Sequence, residues 1–248
     1  MASVKTLAII VKTLDWRDTS KVVTLFTREL GRIDAIAKGA RSPKSPFRGI
    51  LETMNLIESI IYVSAKRELQ ILAKASVEHS YPQIRSDLQK TAIVMSINEL
   101  LYVLLHQGNI DQIFFDFVKH LVDELQRIKN PYIVLWYFMI KFASYLGFKP
   151  DLKDCRICGK HVKQKSTGFL LNEGAIICNE CISSQGYIYK IPKSVQEFFI
   201  ELQLTKYSRI TFLESPKNKN FPYTDFLLDY LNFHTEQKVK LKALKYLN

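Results

Sequence analysis

The cysteines of this chain are the residues whose spacing points most directly to a chemistry. There are four, arranged as two C-x2-C pairs, Cys155 with Cys158 and Cys178 with Cys181, and nineteen residues separate the pairs. Each pair can present two thiolates to the same ion from a tight turn, which is the pattern of a tetrahedral zinc site. Four protein sulfurs leave no coordination position for water or substrate, so we expect a structural Zn2+ and no metal-catalysed reaction.

Other interpretations of the same cysteines are weaker. Disulfides need an oxidising compartment, and the apolar run Leu7–Val11 is too short for a secretory signal peptide. A redox C-x-x-C usually occurs once and beside a βαβ pattern, which this region lacks. His161 follows Cys158 by three residues and is a candidate substitute ligand. Because four thiolates already complete the tetrahedron, we expect His161 to be a solvated neighbour.

The N-terminal third of the chain has the pattern of a β-domain. Runs rich in β-branched and aliphatic residues predict five strands, at Leu7–Val11, Val22–Phe26, Ile33–Lys38, Leu51–Val63 and Leu69–Ala75. Five short strands in about 80 residues are typical of a small closed barrel. In the fifth run, alternation predicts Ala73 and Ala75 on the buried face and leaves Leu72 as the exception.

From Ile84 onward the apolar period becomes helical. Asn130–Pro131 predicts a helix start and Gly147 a helix end, which delimits a helix from Pro131 to Leu146 that is apolar nearly all round and therefore buried. Further helices are predicted at Pro192–Leu204 and from Tyr223 to the end. We therefore predict an α+β protein with a barrel at residues 1–80, a helical domain at 81–150 and 190–248, and a four-cysteine zinc module inserted at 151–189.

A basic segment follows the third predicted strand. It carries Lys38, Arg41, Lys44 and Arg48 with no acidic residue among them, in a chain of net charge +11. Two Ser-Pro pairs lead us to expect an extended loop, which could follow a phosphate backbone along one strand face of a barrel of the OB type. Phe47 is the candidate for stacking on a base, and Arg32 and Lys12 are candidates to extend the patch. The alternative is an ordinary solvated loop between strands.

A second basic cluster, Lys238–Lys245, lies near the C-terminus. Helical spacing would place Leu241 and Leu244 on one side with lysines around them. It is either an ordinary surface helix or an auxiliary contact for nucleic acid or a membrane surface.

The common signatures of catalysis do not occur in the sequence. A P-loop, a dinucleotide fingerprint, an H-E-x-x-H motif and a nucleophile elbow are all missing. The net charge and a pI near 9.4 instead favour a polyanionic partner, nucleic acid before membrane. Two alternatives stay open, an enzyme that acts on nucleic acid with the zinc ribbon as a clamp, and a basic adaptor that binds an acidic protein.

Three segments follow one another along the chain: the opening strands Ile9–Asp15 with Lys21–Thr27, the basic hairpin Gly31–Arg41 with Phe47–Leu51, and the junction from helix to zinc module at Leu146–Gly159. Together they resemble the bacterial recombination mediator family RecO. The match spans the chain in order and is specific in combination.

The resemblance implies a non-enzymatic DNA-binding protein with an OB-fold, a helical domain and a zinc module. Such proteins bind single- and double-stranded DNA, anneal complementary strands, and work with RecR to load RecA on DNA coated by the single-strand-binding protein SSB, whose acidic C-terminal tail docks on the helical domain. It also implies a cytoplasmic, nucleoid-associated protein with no membrane partner.

Overall fold

The computed structural model describes residues 2–162, 166–182, 188–214 and 216–247. The strands of this part of the chain are β1 (Ala2–Trp16), β2 (Ser20–Thr27), β3 (Gly31–Ala37), β4 (Leu56–Val63), β5 (Gln70–His79), β6 (Ser166–Leu170), β7 (Ala175–Ile177) and β8 (Ile188–Pro192). The α-helices are α1 (Pro82–Arg85), α2 (Leu88–Leu104), α3 (Gln112–Leu125), α4 (Tyr132–Tyr145), α5 (Lys193–Leu204) and α6 (Tyr223–Thr235), and short 3-10 helices lie at Tyr207–Phe212 and Lys242–Leu247.

The chain packs as two compact units. One contains Met1–Arg127 with Lys240–Asn248, and the other contains Ile128–Val239. Helices α2 and α3 therefore belong to the same unit as the first five strands. The predicted parts divide the chain differently, into a barrel at 1–80, a helical domain at 81–150 and 190–248, and a zinc module at 151–189. That division stays a prediction.

The first unit is built on a closed barrel in the strand order β1-β2-β3-β5-β4. β1 pairs antiparallel with both β2 and β4, and a parallel contact between β3 and β5 closes the barrel. A bulge between Ile10 and Lys12 bends β1, which lets one long strand serve both neighbours. This five-stranded arrangement is that of an OB-fold, so the predicted fold class is confirmed.

Side chains from all five strands fill the barrel. The buried cluster includes Ala8, Ile10, Val23, Leu25, Ala35, Ala37, Ile57, Ile61 and Leu72. The prediction for β5 is wrong at Leu72, which is 2% exposed, because Ile60 pairs with Lys74 while Ile61 pairs with Leu72. The extra residue, Ala73, is a bulge that moves Leu72 to the inside. The predicted start of the fourth strand at Leu51 is also wrong, since β4 begins at Leu56.

Helices cover the outside of β2 and β3 at one end of the barrel. The ring of Phe26 points outward from β2 and packs against Phe114 and Phe115 of α3, with centroids 5.9 and 5.3 Å apart. Arg28 forms a two-point ion pair with Asp116 at 2.9 and 3.0 Å. The α2–α3 connection comes so close to β3 that a Cβ on Gly31 would lie 2.2 Å from the carbonyl oxygen of Asn109.

The second unit is organised around α4, whose side chains are buried from Ile133 to Ala143 with few exceptions. The helix begins and ends within one residue of the predicted bounds: Asn130 Oδ1 accepts the N–H of Tyr132 at 3.2 Å, and Gly147 adopts φ +93° just after the helix. The N–H of Phe148 then donates to the carbonyl of Ala143 at 2.8 Å, which is the Schellman closure.

The prediction of a helix from Tyr223 to the end is wrong after Thr235. Glu236 adopts φ +54°, which ends α6, and Lys238–Leu241 are not helical. The C-terminal 3-10 helix instead lies on α2, where the backbone N–H of Lys242 donates to Glu99 Oε2 at 2.8 Å. None of the helices in the described part of the chain combines the length and apolar character that a membrane span requires.

Replacing Gly31 by alanine should destabilise the first unit. Both the positive φ of +66° and the contact with Asn109 oppose a side chain, so we expect the free energy of unfolding to fall by roughly 2–4 kcal/mol. Gly108→Ala is the matched control, because Gly108 has φ +72° but nothing within 4 Å of an added Cβ, and it should cost only about 1 kcal/mol. Chemical denaturation of both variants checks this, and equal losses would contradict the close packing at Gly31.

Candidate nucleic-acid interface and metal centre

The basic segment between β3 and β4 is folded, so the expectation of an extended loop is wrong. Backbone N–H groups of Ser42, Ser45 and Arg48 each donate to the carbonyl three residues earlier, at 3.0, 2.9 and 3.3 Å. The Ser-Pro pairs favour the second and third of these turns, because Pro43 and Pro46 each stand at the second position of a turn, where the proline φ is already correct. The loop is therefore a chain of consecutive turns.

Two apolar side chains fix this loop to the barrel. Phe47 is 6% exposed and Leu51 is 2% exposed, and both belong to the buried cluster inside the barrel. The ring of Phe47 is thus occupied by core packing and is not presented to a base, which corrects the expected role of this residue. Its contribution is to position its neighbours.

The loop cations remain on the outside of this anchored segment. Lys38, Arg41, Lys44 and Arg48 are all exposed. Arg41 also attaches the loop to the β1–β2 hairpin: its backbone N–H donates to the carbonyl of Thr19 at 2.8 Å, and its guanidinium donates to the carbonyl of Arg17 at 3.1 Å. The same guanidinium pairs with Asp15 at 3.4 Å, an exposed contact worth at most about 1 kcal/mol.

A groove of about 380 Å³ lies between the loop and the hairpin. Lys21, Arg41 and Arg48 line it together with the carboxylates of Asp15 and Glu52. Lys21 was not among the residues singled out from the sequence. The signal that could have found it is the hairpin register, since Lys21 pairs with Ala37, the last residue of β3 before the loop.

Arg32 and Lys12 do not join this patch. Arg32 stands at the opposite end of β3 from Lys38, about 20 Å away along the strand. Its guanidinium donates to the carbonyl of Tyr102 at 2.9 Å, and Lys12 Nζ lies 4.1 Å from the centroid of the Tyr102 ring. Both cations are therefore engaged with α2.

The four cysteines converge at one point in the second unit. Their Sγ atoms all lie within 4.8 Å of one another, and Cys158 Sγ is 3.8 Å from Cys178 Sγ. A tetrahedral zinc site with Zn–S bonds of about 2.3 Å has sulfurs about 3.8 Å apart, so the residues present fit this ion. The residues between the cysteine pairs form the antiparallel β6–β7 hairpin, which brings the second pair back to the first.

Backbone turns aim the thiols at the centre of the cluster. The N–H of Gly159 donates to the carbonyl of Cys155 at 2.8 Å, and the N–H of Cys181 donates to that of Cys178 at 3.0 Å. Gly159 takes φ +70°, which lets the first turn close. The turns therefore account for the two-residue spacing of each pair.

The thiols do not ionise alike. Burial works to raise the pKa of Cys155, but backbone N–H groups, including those of Cys158 and Cys178, point at its sulfur and hold the pKa down to about 6. Hydrogen bonding to Cys178, together with burial, raises the pKa of Cys181 to about 12. The thiolate form of Cys155 is therefore favoured, whereas four thiolates at one point would repel one another. A bound divalent cation would compensate their negative charge.

His161 is not part of the sulfur cluster. Its Nδ1 lies 3.0 Å from Asp154 Oδ1, and the ring is exposed. Among the described residues, the group of side chains that can hold a metal consists of the four cysteines.

Comparison with known proteins gives concordant matches over nearly the whole chain. Residues 1–81 match the family model described as Recombination protein O N terminal, and residues 85–243 match the one described as Recombination protein O C terminal. The DNA repair protein RecO of Desulforamulus reducens is 26% identical over 236 residues, which cover 94% of this chain and 90% of that protein.

Two further relatives carry the same description. The DNA repair protein RecO of Caldanaerobacter subterraneus subsp. tengcongensis is 26% identical over 243 residues, 98% of this chain and 97% of the relative. That of Prosthecochloris aestuarii is 32% identical over 158 residues, 63% of this chain and 60% of the relative.

Replacing Cys178 by serine should abolish stoichiometric metal binding. The wild-type chain is expected to hold about one zinc ion, because four thiolates complete its shell, and three leave it open to exchange. His161→Ala is the control and should retain the metal, since His161 pairs with Asp154. Elemental analysis of freshly purified proteins measures both; zinc-free wild-type protein would contradict the site.

Proposed function

Because the chain belongs to the Recombination protein O (RecO) family of DNA repair proteins, we propose that it is a recombination mediator that binds DNA and anneals single strands. The observation that carries the proposal is the anchored basic loop at one end of an OB-fold. Lys38, Arg41, Lys44 and Arg48 project from a segment whose backbone is fixed by consecutive turns and by Phe47 in the barrel.

The loop suits a phosphate backbone for electrostatic reasons. The cations are exposed and repeat every three or four residues, and of the two carboxylates that line the groove beside them, that of Asp15 is already paired with Arg41. Each phosphate that such a cation neutralises releases bound counterions, so binding should weaken steeply as salt rises. Because the turns fix the loop before DNA arrives, little conformational entropy is lost on binding.

Annealing follows from the same charge. A protein of net charge +11 that covers one strand lowers the repulsion met by the complementary strand, which speeds their encounter. This mechanism needs no catalytic residue, and we propose that the chain acts without catalysing a covalent step.

We propose a structural role for the zinc ion. Four thiolates would complete its coordination, so when bound it would supply folding energy to the module at residues 151–189 rather than a reactive site. The remaining parts of the proposal are DNA binding by residues 1–80 and a helical domain at 81–150 and 190–248.

The partners follow from family membership. We propose that the chain works with RecR, binds the acidic C-terminal tail of SSB, and helps to load RecA on SSB-coated DNA in the cytoplasm, at the nucleoid. Single- and double-stranded DNA are both proposed substrates.

Removing the loop cations should weaken DNA binding and flatten its salt dependence. In the variant Lys38→Ala, Lys44→Ala, Arg48→Ala, the slope of log K against log salt for single-stranded DNA should decrease by up to about 2, at roughly 0.7 per lost phosphate contact. Arg41 is retained because it holds the loop to the hairpin. Fluorescence anisotropy at several salt concentrations gives the slope.

The matched control removes three exposed lysines of the second unit, Lys206, Lys217 and Lys219. This control lowers the net charge by the same three units. If the salt slope decreases in the loop variant alone, the loop is a specific DNA contact and the effect does not come from net charge. Equal slopes in the wild-type protein and the loop variant would remove the loop from the interface.

Annealing on SSB-coated DNA tests the mediator proposal. The wild-type chain should accelerate the pairing of complementary oligonucleotides coated with SSB, and the loop variant should do so less. The rate of duplex formation, followed by energy transfer between end labels, gives the result. If neither naked nor coated strands pair faster, the mediator proposal fails.

A further inference from the structure

The outer face of β1, β2 and β3 has a covered half and an open half. Cross-strand partners share a face, so the rows can be followed through the register. Toward α2 and α3, the pair Phe26–Arg32 and the row Lys12–Thr24–Asp34 are occupied by helix contacts, and Thr24 is 5% exposed. The rows nearer the β1–β2 turn lie beyond these contacts.

The open half carries apolar side chains. Leu14 pairs with Val22 and Val22 with Ile36, which forms a row across three strands. The next position toward the turn is Trp16, opposite Ser20. Leu14 is 52% exposed and Trp16 is 44% exposed, although both are large apolar residues at the end of a well-formed strand.

The charges around this apolar patch, which consists of Leu14, Trp16, Val22 and Ile36, indicate the kind of ligand that it would bind. Lys38 follows β3 directly and Arg17 continues the hairpin, so cations border the patch on two sides. Of the acidic neighbours, Asp15 pairs with Arg41, Asp34 accepts hydrogen bonds from Thr24 and Gln107 at 2.5 and 2.7 Å, and Asp18 in the β1–β2 turn is exposed.

We propose that Trp16 is a base-stacking residue for single-stranded nucleic acid, with Leu14 and Val22 extending the platform. The inference rests on the proposed DNA-binding function and assigns to Trp16 the contact that Phe47 cannot make. An aromatic ring beside a cationic track is the arrangement that holds single strands, because every base offers a π-face while the phosphates meet the cations. Arg41 joins the two parts, since its hydrogen bonds to Thr19 and Arg17 hold the loop beside the hairpin that carries Trp16.

Stacking makes a prediction that differs from that of a phosphate contact. Trp16→Ala should reduce the affinity for an oligothymidine of about 16 nucleotides by roughly 5- to 150-fold while leaving the salt slope unchanged. Trp16→Phe keeps an aromatic ring and should retain most of the affinity. A duplex of the same length should be affected little, because its bases are already stacked.

Tryptophan fluorescence reports the contact directly. The chain has two tryptophans, and Trp136 is 9% exposed, with its Nε1 donating to Thr224 Oγ1 at 2.9 Å. Oligothymidine should therefore quench the wild-type emission and leave that of Trp16→Phe, in which Trp136 alone remains, unchanged. Phe233→Ala is the matched affinity control, because Phe233 is an aromatic residue of the second unit with 50% exposure.

The outcomes separate this inference from the function on which it rests. Binding of oligothymidine with no quenching and with unchanged affinity in Trp16→Ala would overturn the stacking role and leave the DNA-binding proposal intact. A wild-type protein that binds no DNA would overturn both. If Trp16→Ala alters sedimentation but not DNA affinity, the patch is an interface between copies of the chain, and the inference is wrong.

Discussion

The burial of Phe47 and Leu51 in the barrel is the constraint on which the DNA-binding proposal depends. The connection from Ala37 to Leu56 is long for a loop without regular structure, and a free segment of that length would lose much conformational entropy on binding. Two apolar side chains in the core remove most of that freedom when the protein folds. The cations of this connection are therefore displayed from a backbone that is already ordered, and the free energy of the proposed phosphate contacts would not be spent on ordering the loop.

The second constraint is the position of α2 and α3 on the barrel. By covering Phe26 and engaging Arg32, they remove half of the strand face that OB-folds use for ligands. What is left open lies next to the β1–β2 turn, on the side to which Arg41 ties the basic loop. A salt-dependent contact on the loop and a salt-independent contact on the strands would then lie side by side. That combination favours a flexible single strand, which can present phosphates and bases to the two surfaces together.

Much of the fold can be predicted from the sequence where a pattern has a period or a fixed spacing. The barrel strands, the helix between Asn130 and Gly147, and the convergence of the cysteines all follow from such patterns. The failures occur where no period exists. In an irregular loop the sequence has no pattern that distinguishes a buried phenylalanine from an exposed one. The sequence therefore predicts wrongly that Phe47 stacks on a base. A bulge in β5 exchanges the inward and outward faces of the strand, so the prediction for Leu72 is wrong. The sequence pattern also does not indicate that α2 lies over Arg32.

The cysteine cluster and the proposed DNA-binding surface depend on different interactions. The three-stranded sheet β7-β6-β8 packs on α6 through Phe169, whose ring contacts Phe226 and Tyr230, with centroids 5.1 and 5.7 Å away. Gly174 is held against Tyr230 so closely that a Cβ would lie 2.4 Å from the hydroxyl oxygen. Aromatic packing thus secures one side of this small module, and the thiolate cluster secures the turns that contain Cys155 and Cys178. An ion held by four sulfurs would offer no site for chemistry, so under this proposal the cysteines serve folding, and the exposed cations and apolar side chains of the barrel bind the partner.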